Sequence, residues 1–385
     1  MITVRLPTPE RQVEAYRVGP ASPYADKAGG TFPRIAYAAA HIVADPLADL
    51  APWQQGGVDW GATLAFRHYL WRLGFKIAEA MDTSQRGMGL DWPTARELIR
   101  RSLAEARRVE GADLACGVGT DQLAPGADLA AVRAAYEEQL EAVEASGGRA
   151  ILMASRALAG AARSADDYLD LYGSLIRQAA EPVILHWLGD MFDPALAGYW
   201  GSQDLDEATE TVLSLLREHS ARIDGIKISL LDETREVELR RGVPAGVKMF
   251  TGDDFNYARL IEGDAEHHSH ALLGIFDPIA PAAAAALQAL GGGDVEAFRS
   301  TLAPTVPLSR KIFEAPTQYY KAGVVFLAWL NGHQEHFAML GGMQSARSAL
   351  HYADVFRLAD QAHLLRDPEL AAARMSHLMA LHGIV

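Results

Sequence analysis

The seven residues Ile223-Asp224-Gly225-Ile226-Lys227-Ile228-Ser229 decide how the rest of the chain is interpreted. Their branched, apolar composition is typical of a strand buried on both faces, yet a lysine lies among them. A buried ammonium group is unfavourable unless it is paired or deprotonated. Lys227 therefore has two explanations. It is either one half of an ion pair, with Asp224 or Asp253 as partner, or an amine of lowered pKa that attacks a carbonyl carbon and forms a Schiff base.

The composition narrows the class of protein. The chain has 385 residues, of which 49% are hydrophobic, and this is enough for one large core or two ordinary ones. A net charge of -14 argues against binding to nucleic acid or to anionic membrane surfaces. The single Cys116 excludes an internal disulfide and any multi-cysteine metal site. We predict a soluble protein in the cytoplasm, because the N-terminal residues also lack the pattern of a signal peptide.

Short apolar runs alternate with amphipathic helix patterns from residue 33 onward. Eight predicted strands cover residues 34–40, 75–80, 113–117, 149–154, 182–187, 223–229, 246–251 and 269–275. Eight strand–helix units in series predict a closed parallel (β/α)8 TIM barrel. An open doubly wound sheet is the alternative, but no Gly-rich phosphate motif follows the first strand.

The predicted barrel occupies residues 33–293 of the chain. Residues 1–32 form a short N-terminal appendage with two extended runs, and residues 294–385 form a C-terminal helical region. The last region carries much apolar surface, so we expect it to pack against the barrel or a partner subunit. A homo-oligomer is therefore predicted.

In such barrels the chemistry lies where strands end and the following loops begin. Lys227 occupies one of these positions. The other predicted strand ends are His41, Asp82–Arg86, Gly117–Thr120, Ser155-Arg156, His186-Trp187, Thr251–Asp254 and Asp277.

Five of the predicted strands carry short motifs near their ends. These are Asp82–Leu90, Ala115–Gly119, Pro182–Leu185, Gly225-Ile226-Lys227 and Phe250–Asp254. In this order and on these strands, the motifs resemble the class I aldolase family of dihydrodipicolinate synthase and N-acetylneuraminate lyase. The resemblance runs from about residue 33 to about residue 330.

The resemblance implies a role for Lys227 as the nucleophile. It would form a Schiff base with a 2-oxo acid or a related ketone, and the iminium would accept electrons during bond cleavage, bond formation or loss of water. Thr83 and Ser84 match the paired hydroxyls that hold a substrate carboxylate in that family. Both residues could instead cap the following helix, and this alternative stays open.

The chain departs from the family pattern at several positions. His186 stands where the family has a tyrosine, and it could act as the acid/base with a pKa nearer 7. Arg86 replaces a glutamate in the strand-two loop, and Arg156 follows strand four. Both arginines could bind an anionic or polyhydroxylated substrate. We also place Trp187 and Asp253 among the substrate-binding residues.

Three further features have functional interpretations. The aromatic loop at residues 189–203 is interpreted as a lid, because it is long for a loop between a strand and a helix. Asp254 precedes a predicted helix and is the favoured N-cap. The run His267-His268-Ser269-His270 could suggest a metal site, with His41, His186 or Asp277 as further ligands. Strand alternation turns at most two of the three histidines to one side, so we predict no metal there and no cofactor.

These observations predict a class I lyase or aldolase that acts on a small 2-oxo acid or a sugar-derived carbonyl compound. Lys227 is the predicted nucleophile and His186 the predicted acid/base. The first alternative is a metal-dependent sugar epimerase, isomerase or class II aldolase on the same barrel. The second is a barrel without catalytic activity that serves in binding or assembly.

Overall fold

The structure is a computed structural model that describes residues 2–27, 29–51 and 56–384. The chain divides into two compact units. One contains Arg34–Ala40 and Lys76–Gly274, and the other contains Met1–Pro33, His41–Phe75 and Ile275–Val385. The three-region division predicted from the sequence stays a prediction.

The first unit is built on a closed barrel of eight parallel strands, with each strand hydrogen-bonded to its two neighbours. The barrel strands are β3 (Ala36–Ala39), β4 (Lys76–Glu79), β5 (Leu114–Val118), β6 (Arg149–Leu152), β7 (Val183–Leu188), β8 (Ile223–Ser229), β9 (Lys248–Thr251) and β10 (His270–Leu273). All eight predicted strands are present, with ends that differ by at most two residues. The predicted TIM barrel is confirmed.

Helices follow the strands along the chain, as the alternating pattern predicts. In this unit they are α2 (Trp92–Ala106), α3 (Leu129–Ala145), α4 (Arg156–Ala161), α5 (Ala165–Gln178), α6 (Leu205–His219), α7 (Glu233–Gly242) and α8 (Tyr257–Glu262). Short polar side chains cap several of them, and Asp91, for example, accepts from the backbone N–H of Thr94. Helix α4 is absent from the sequence prediction, because its six residues are too few to show a helical period.

The barrel interior is filled by apolar side chains from seven of the eight strands and their immediate ends. The cluster comprises Tyr37, Ala39, Ala78, Met81, Ala115, Ile151, Met153, Ile184, Phe250 and Leu272. Strand β8 contributes Gly225 instead, since a Cβ atom there would lie 2.5 Å from the Phe250 ring. Because side chains alternate along a strand, Lys227 and Ser229 point to the same interior face as Gly225.

The second unit contains a two-stranded hairpin and a set of helices. Strands β1 (Thr3–Pro7) and β2 (Val13–Arg17) pair antiparallel, in agreement with the two extended runs predicted in the appendage. The helices are α1 (Trp60–Arg72), α9 (Ala280–Gly291), α10 (Val295–Leu302), α11 (Thr305–Ile312), α12 (Tyr320–Leu330), α13 (Ala349–Gln361) and α14 (Pro368–Leu381). Tyr16 donates a 2.7 Å hydrogen bond to Asp360 and joins the hairpin to α13. Among the residues described, none of the helices is both long enough and apolar enough to cross a lipid bilayer.

Candidate active site

Lys227 and His186 lie side by side in the barrel. Strands β7 and β8 are parallel neighbours, and their register places His186 opposite Lys227. Ile184, two residues before His186, belongs to the interior cluster, so His186 also points inward. Both side chains are buried, Lys227 with 8% exposure and His186 with 1%. The two residues that the sequence predicted as catalytic therefore share one face of the sheet.

Lys227 has no ion pair and no hydrogen bond in the part of the chain that the structure describes. Asp224, one candidate partner, instead accepts a 2.5 Å hydrogen bond from Lys248. Burial lowers the pKa of the Lys227 amine, while the charges of Asp254 and Asp82 oppose this effect in part. The net result is a pKa below the usual value, which increases the fraction of neutral, nucleophilic amine.

Burial favours the neutral imidazole of His186, in contrast to the pKa nearer 7 that the sequence suggested. Burial lowers its pKa well below the usual value, and the positive charge of Lys227 lowers it further. Its Nε2 atom lies 3.3 Å from the hydroxyl of Ser229, and its buried Nδ1 atom has no hydrogen-bond partner among the described residues. A neutral ring of this kind can accept a proton at one nitrogen while the other nitrogen donates.

A glycine of the strand-seven motif gives Lys227 the space it occupies. Gly252 follows β9, and its backbone N–H donates a 2.7 Å hydrogen bond to the carbonyl oxygen of Ile228. A Cβ atom at Gly252 would lie only 2.6 Å from Cε of Lys227. This close approach explains in physical terms why a residue without a side chain stands here.

The strand-two turn contains Asp82, Thr83 and Ser84 in a single turn of 3-10 helix. Thr83 and Ser84 are both buried. The hydroxyl of Ser84 donates a 2.6 Å hydrogen bond to the carbonyl oxygen of Ala40. Neither Thr83 nor Ser84 caps the long helix that follows, because Asp91 does so. Contact of the two hydroxyls with substrate stays a prediction.

Arg86 is held in the same loop by several protein contacts, and its predicted role in binding substrate stays a prediction. The guanidinium is buried and donates to Ala80 and Gly117 backbone oxygens at 3.0 and 3.2 Å. It also forms an ion pair with Asp121, which lowers the pKa of that carboxyl against the opposing effect of burial. A further 2.8 Å hydrogen bond goes to Gln139. These contacts hold the loop and the ends of two strands together.

Arg156 begins helix α4, and its side chain is about half exposed. It forms an ion pair with Asp193 from the loop after β7. Its Nη1 atom also approaches Gly87, at 3.3 Å from the position that a Cβ atom would take there. Arg156 is therefore close to the strand-two loop, and its contact with substrate stays a prediction.

Trp187 points away from the barrel interior, and its predicted contact with substrate stays a prediction. It neighbours His186 on β7, so alternation turns the two side chains to opposite faces. The buried indole meets the ring of Trp200 edge to face, with centroids 6.4 Å apart. Strand alternation decides this outcome, and the sequence alone is enough to apply that rule.

The aromatic loop after β7 is anchored by buried side chains. Tyr199 and Trp200 are both buried. The Tyr199 hydroxyl lies 2.7 Å from that of Tyr172 and accepts a 3.0 Å hydrogen bond from the Ser155 backbone N–H. The loop is thus fixed to helix α5 and to the end of β6, and we treat it as a wall where the sequence predicted a lid.

Asp253 caps the turn after β9, and the expectation that Asp254 is the helix N-cap is wrong, because Asn256 occupies that position. Contact of Asp253 with substrate stays a prediction. Its carboxylate accepts from the backbone N–H groups of Phe255 and Asn256 at 2.8 and 2.9 Å. The helix consequently starts at Tyr257, later than predicted. Asp254 is buried and exerts its charge on Lys227.

Two residues near Lys227 are absent from the predicted site. Ser229 contacts His186, and it lies two positions beyond Lys227 on the same face of β8. Strand alternation is a signal that could have identified it. Asp82 acts on Lys227 through its charge. No pattern in the sequence indicates that these two residues influence each other.

The histidine cluster before β10 does not assemble a set of metal ligands. The His268 and His270 rings lie 5.3 Å apart, and His270 Nδ1 accepts a hydrogen bond from the backbone N–H of Ile35. Throughout residues 2–27, 29–51 and 56–384, no three His, Cys, Asp or Glu side chains come together as a possible metal site.

Solved structures similar to this chain belong to the dihydrodipicolinate synthase family. Dihydrodipicolinate synthase from Aquifex aeolicus is 12% identical with a TM-score of 0.63, covering 86% of this chain and 99% of its own. The Bacillus clausii enzyme is 15% identical with a TM-score of 0.62, covering 85% and 97%. YagE, a prophage protein of that family from E. coli K12 in complex with pyruvate, is 13% identical with a TM-score of 0.63, covering 91% and 99%.

The likeness to these structures confirms the resemblance inferred from the strand-end motifs. At such low identity it establishes the shared fold. No curated protein matches the chain by sequence. A family model described as "Protein of unknown function (DUF993)" matches residues 4–384, and the chain belongs to this family.

Proposed function

We propose that this protein is a class I aldolase-type lyase in which Lys227 forms a Schiff base with a small carbonyl substrate. The observation that carries the proposal is a buried lysine without an ion pair in the described part of the chain, inside a barrel of the aldolase type. A structural lysine would need a carboxylate partner to offset the loss of hydration.

The candidate partners for a structural ion pair are engaged elsewhere. Asp224 binds Lys248, and Asp253 accepts from two backbone N–H groups. Asp254 and Asp82 influence Lys227 through their charges without an ion pair to it. An amine held in this way is partly neutral, and the neutral form is the one that attacks a carbonyl carbon.

The proposed chemistry has three steps. Neutral Lys227 Nζ adds to the carbonyl carbon, and the resulting carbinolamine takes up a proton at its hydroxyl group and loses water to give the cationic iminium. The iminium accepts the electron pair released when an adjacent C–C or C–H bond breaks, and an enamine results. In a dehydration, the enamine then expels a β-hydroxyl group, which takes a proton and leaves as water. His186 serves as the proton donor and acceptor, because its neutral ring lies beside Lys227 and is joined to Ser229.

The structural neighbours support this proposal at the level of reaction class. YagE is described in complex with pyruvate, a 2-oxo acid. Schiff-base chemistry on a carbonyl compound is therefore the function we extend to this chain. The substrate and the direction of the reaction are not implied by the likeness.

The proposal is tested by trapping the covalent adduct. Purified protein is incubated with a panel of small ketones, aldehydes and 2-oxo acids, treated with borohydride, and analysed by intact mass and peptide mapping. We expect one irreversible adduct on Lys227, no adduct in Lys227→Ala, and an unchanged adduct in the matched variant Lys248→Ala. The trapping rate should rise with pH and level off below pH 10.5, because the pKa of the Lys227 amine is lowered from that value.

Two outcomes would overturn the proposal. One is an unmodified wild-type protein after treatment with every donor in the panel. The other is equal labelling of the wild type and Lys227→Ala, which would place the reaction on other lysines. Either result would favour a barrel that binds or assembles without this chemistry.

A further inference from the structure

Ser84 does not have a proton to offer a substrate carboxylate. The resemblance to dihydrodipicolinate synthase implies that the hydroxyls of Thr83 and Ser84 hold this group. A serine hydroxyl has a single hydrogen, and that of Ser84 is donated to the carbonyl oxygen of Ala40 at 2.6 Å. Ser84 is fully buried, so its remaining lone pairs could only repel an anion. One half of the expected anion-binding pair is therefore occupied.

The two arginines predicted to bind an anion are also engaged. Arg86 donates to Ala80, Gly117, Gln139 and Asp121, and it is buried among them. Recruiting it would leave the partly buried Asp121 carboxylate without its counter-charge, which is strongly unfavourable.

Arg156 is the more accessible arginine, but it is paired with Asp193. A substrate carboxylate would have to displace Asp193 from the guanidinium, and an exchange of one carboxylate for another provides little net free energy. Neither arginine therefore presents an uncommitted positive charge to a substrate.

The charges that act on Lys227 are negative. Asp82 begins the turn that contains Thr83 and Ser84, and it is half-buried. Asp254 is buried and lies two residues beyond Gly252, whose backbone approaches the Lys227 side chain. Both carboxylates favour the charged form of the Lys227 amine. The same field stabilises a cationic iminium and opposes a third negative charge on the substrate.

From these contacts we infer that the Lys227 site takes an uncharged, hydroxylated ketone or aldehyde and disfavours a 2-oxo acid. The inference rests on the proposed Schiff-base function and names its substrate class. Hydroxyl groups of such a substrate can donate to carboxylates, while the iminium gains from the nearby negative charge. A substrate carboxylate would find neither a free guanidinium nor the Ser84 proton.

Two matched pairs of donors test the inference, each pair differing in one charged group. Dihydroxyacetone is compared with hydroxypyruvate, and hydroxyacetone with pyruvate. The rate of borohydride trapping on Lys227 is measured for each donor and divided by its rate with N-α-acetyl-lysine, which removes differences in intrinsic reactivity. We expect the neutral member of each pair to be favoured by at least about tenfold, as one partly screened charge interaction allows.

Substitution of a carboxylate sharpens the test. Asp82→Asn should reduce the preference for the neutral donors several-fold, because it removes one negative charge near Lys227. Glu210→Gln removes the same charge from an exposed position on helix α6 and should leave the preference unchanged.

The possible results are distinguishable. If the 2-oxo acids are trapped faster than their neutral partners after normalisation, the inference fails and the Schiff-base function stands. If none of the donors forms an adduct, in these pairs or in the wider panel, the Schiff-base function itself fails. A preference for neutral donors that Asp82→Asn reduces and Glu210→Gln does not supports the inference.

Discussion

The lysines at the two ends of the barrel have opposite environments. At the amino ends of the strands, Lys76 and Arg149 both bind Asp113, at 2.5 and 2.9 Å, and Lys248 binds Asp224 at 2.5 Å. Burial alone would raise the pKa of Asp113, but the hydrogen bond from Lys76 and the charge of Arg149 outweigh it and lower the pKa. At the carboxyl ends, Lys227 is more deeply buried and has no such partner in the described chain.

The difference separates groups that stabilise the barrel from groups that are available to react. A paired lysine is held in its charged form, and its amine is therefore a poor nucleophile. An unpaired buried lysine lowers the stability of the fold, and it persists where its reactivity is used. Paired lysines at the amino ends and an unpaired lysine at the carboxyl ends agree with the usual placement of catalysis in TIM barrels.

The histidines at the two ends provide the test with the largest expected effect. His186 is adjacent to Lys227, whereas His270 lies at the start of β10 and accepts a hydrogen bond from Ile35. The test uses a carbonyl donor identified by trapping. The His186→Gln variant should slow the exchange of this donor's α-hydrogens in D2O by about 10²- to 10⁴-fold, as expected for loss of an acid/base group. The exchange is followed by proton NMR. His270→Gln is the matched control.

Adduct formation separates this role from a structural one. Glutamine can keep a hydrogen bond to Ser229, so His186→Gln should still be trapped by borohydride at a rate within about threefold of the wild type, if most of the barrier to addition lies at Lys227. Loss of both exchange and trapping would indicate a collapsed site. Full exchange in the variant would show that another group moves the proton.

The glycine beside Lys227 gives the second test. Gly252→Ala introduces a Cβ atom 2.2 Å from Ser229 Oγ and 2.6 Å from Lys227 Cε, so these side chains or the strand must move. We expect a loss of about 1–3 kcal/mol in the free energy of unfolding, and trapping slowed by roughly 10- to 100-fold through misplacement of the amine. Urea unfolding and borohydride labelling measure the two effects.

A glycine in open surroundings serves as the control for this substitution. Gly160 lies in helix α4, and a Cβ atom added there would meet nothing within 4 Å beyond its own helix and chain neighbours. Gly160→Ala should stabilise the protein by up to about 1 kcal/mol, as replacement of a helical glycine usually does, and should leave trapping unchanged. Equal behaviour of the two variants would mean that the contact at Gly252 does not constrain Lys227.

The barrel and the shared inward direction of Lys227 and His186 were predictable from the sequence for a physical reason. A parallel strand buried on both faces must be apolar, so the lysine in β8 stands out in the sequence. Strand ends then give the catalytic face, and strand alternation gives the direction of each side chain. The outward direction of Trp187 and the inward direction of Ser229 follow from the same rule.

The partners of polar side chains were not predictable in this way. Whether Arg86 meets a substrate or Asp121 depends on contacts between residues 35 positions apart. The choice of Asp253 over Asp254 as cap depends on the backbone path of a single turn. Such choices are made by three-dimensional packing, and a periodic pattern carries no information about them.

The smallest effect that we predict is on stability, and it compares the two lysines directly. Lys227→Met removes an unpaired buried amine and should raise the free energy of unfolding by about 1 kcal/mol. Lys248→Met leaves Asp224 without its partner and should lower it by a similar amount, because the pair is only partly exposed to solvent. Denaturant unfolding at neutral pH measures both changes.

The pH dependence of the free energy of unfolding tests whether the amine of Lys227 causes the gain in stability of Lys227→Met. The pKa of the Lys227 amine in the folded protein lies below the ordinary lysine value of 10.5, which applies to the unfolded chain. At pH values between the folded and unfolded pKa, the unfolded chain therefore binds more protons than the folded one. Stability of the wild type therefore increases as pH rises through this window, and the advantage of Lys227→Met should shrink in parallel. An advantage of Lys227→Met that is constant from neutral pH to about pH 10 would trace the gain to improved packing, and the contrast between the two ends would then lose its electrostatic basis.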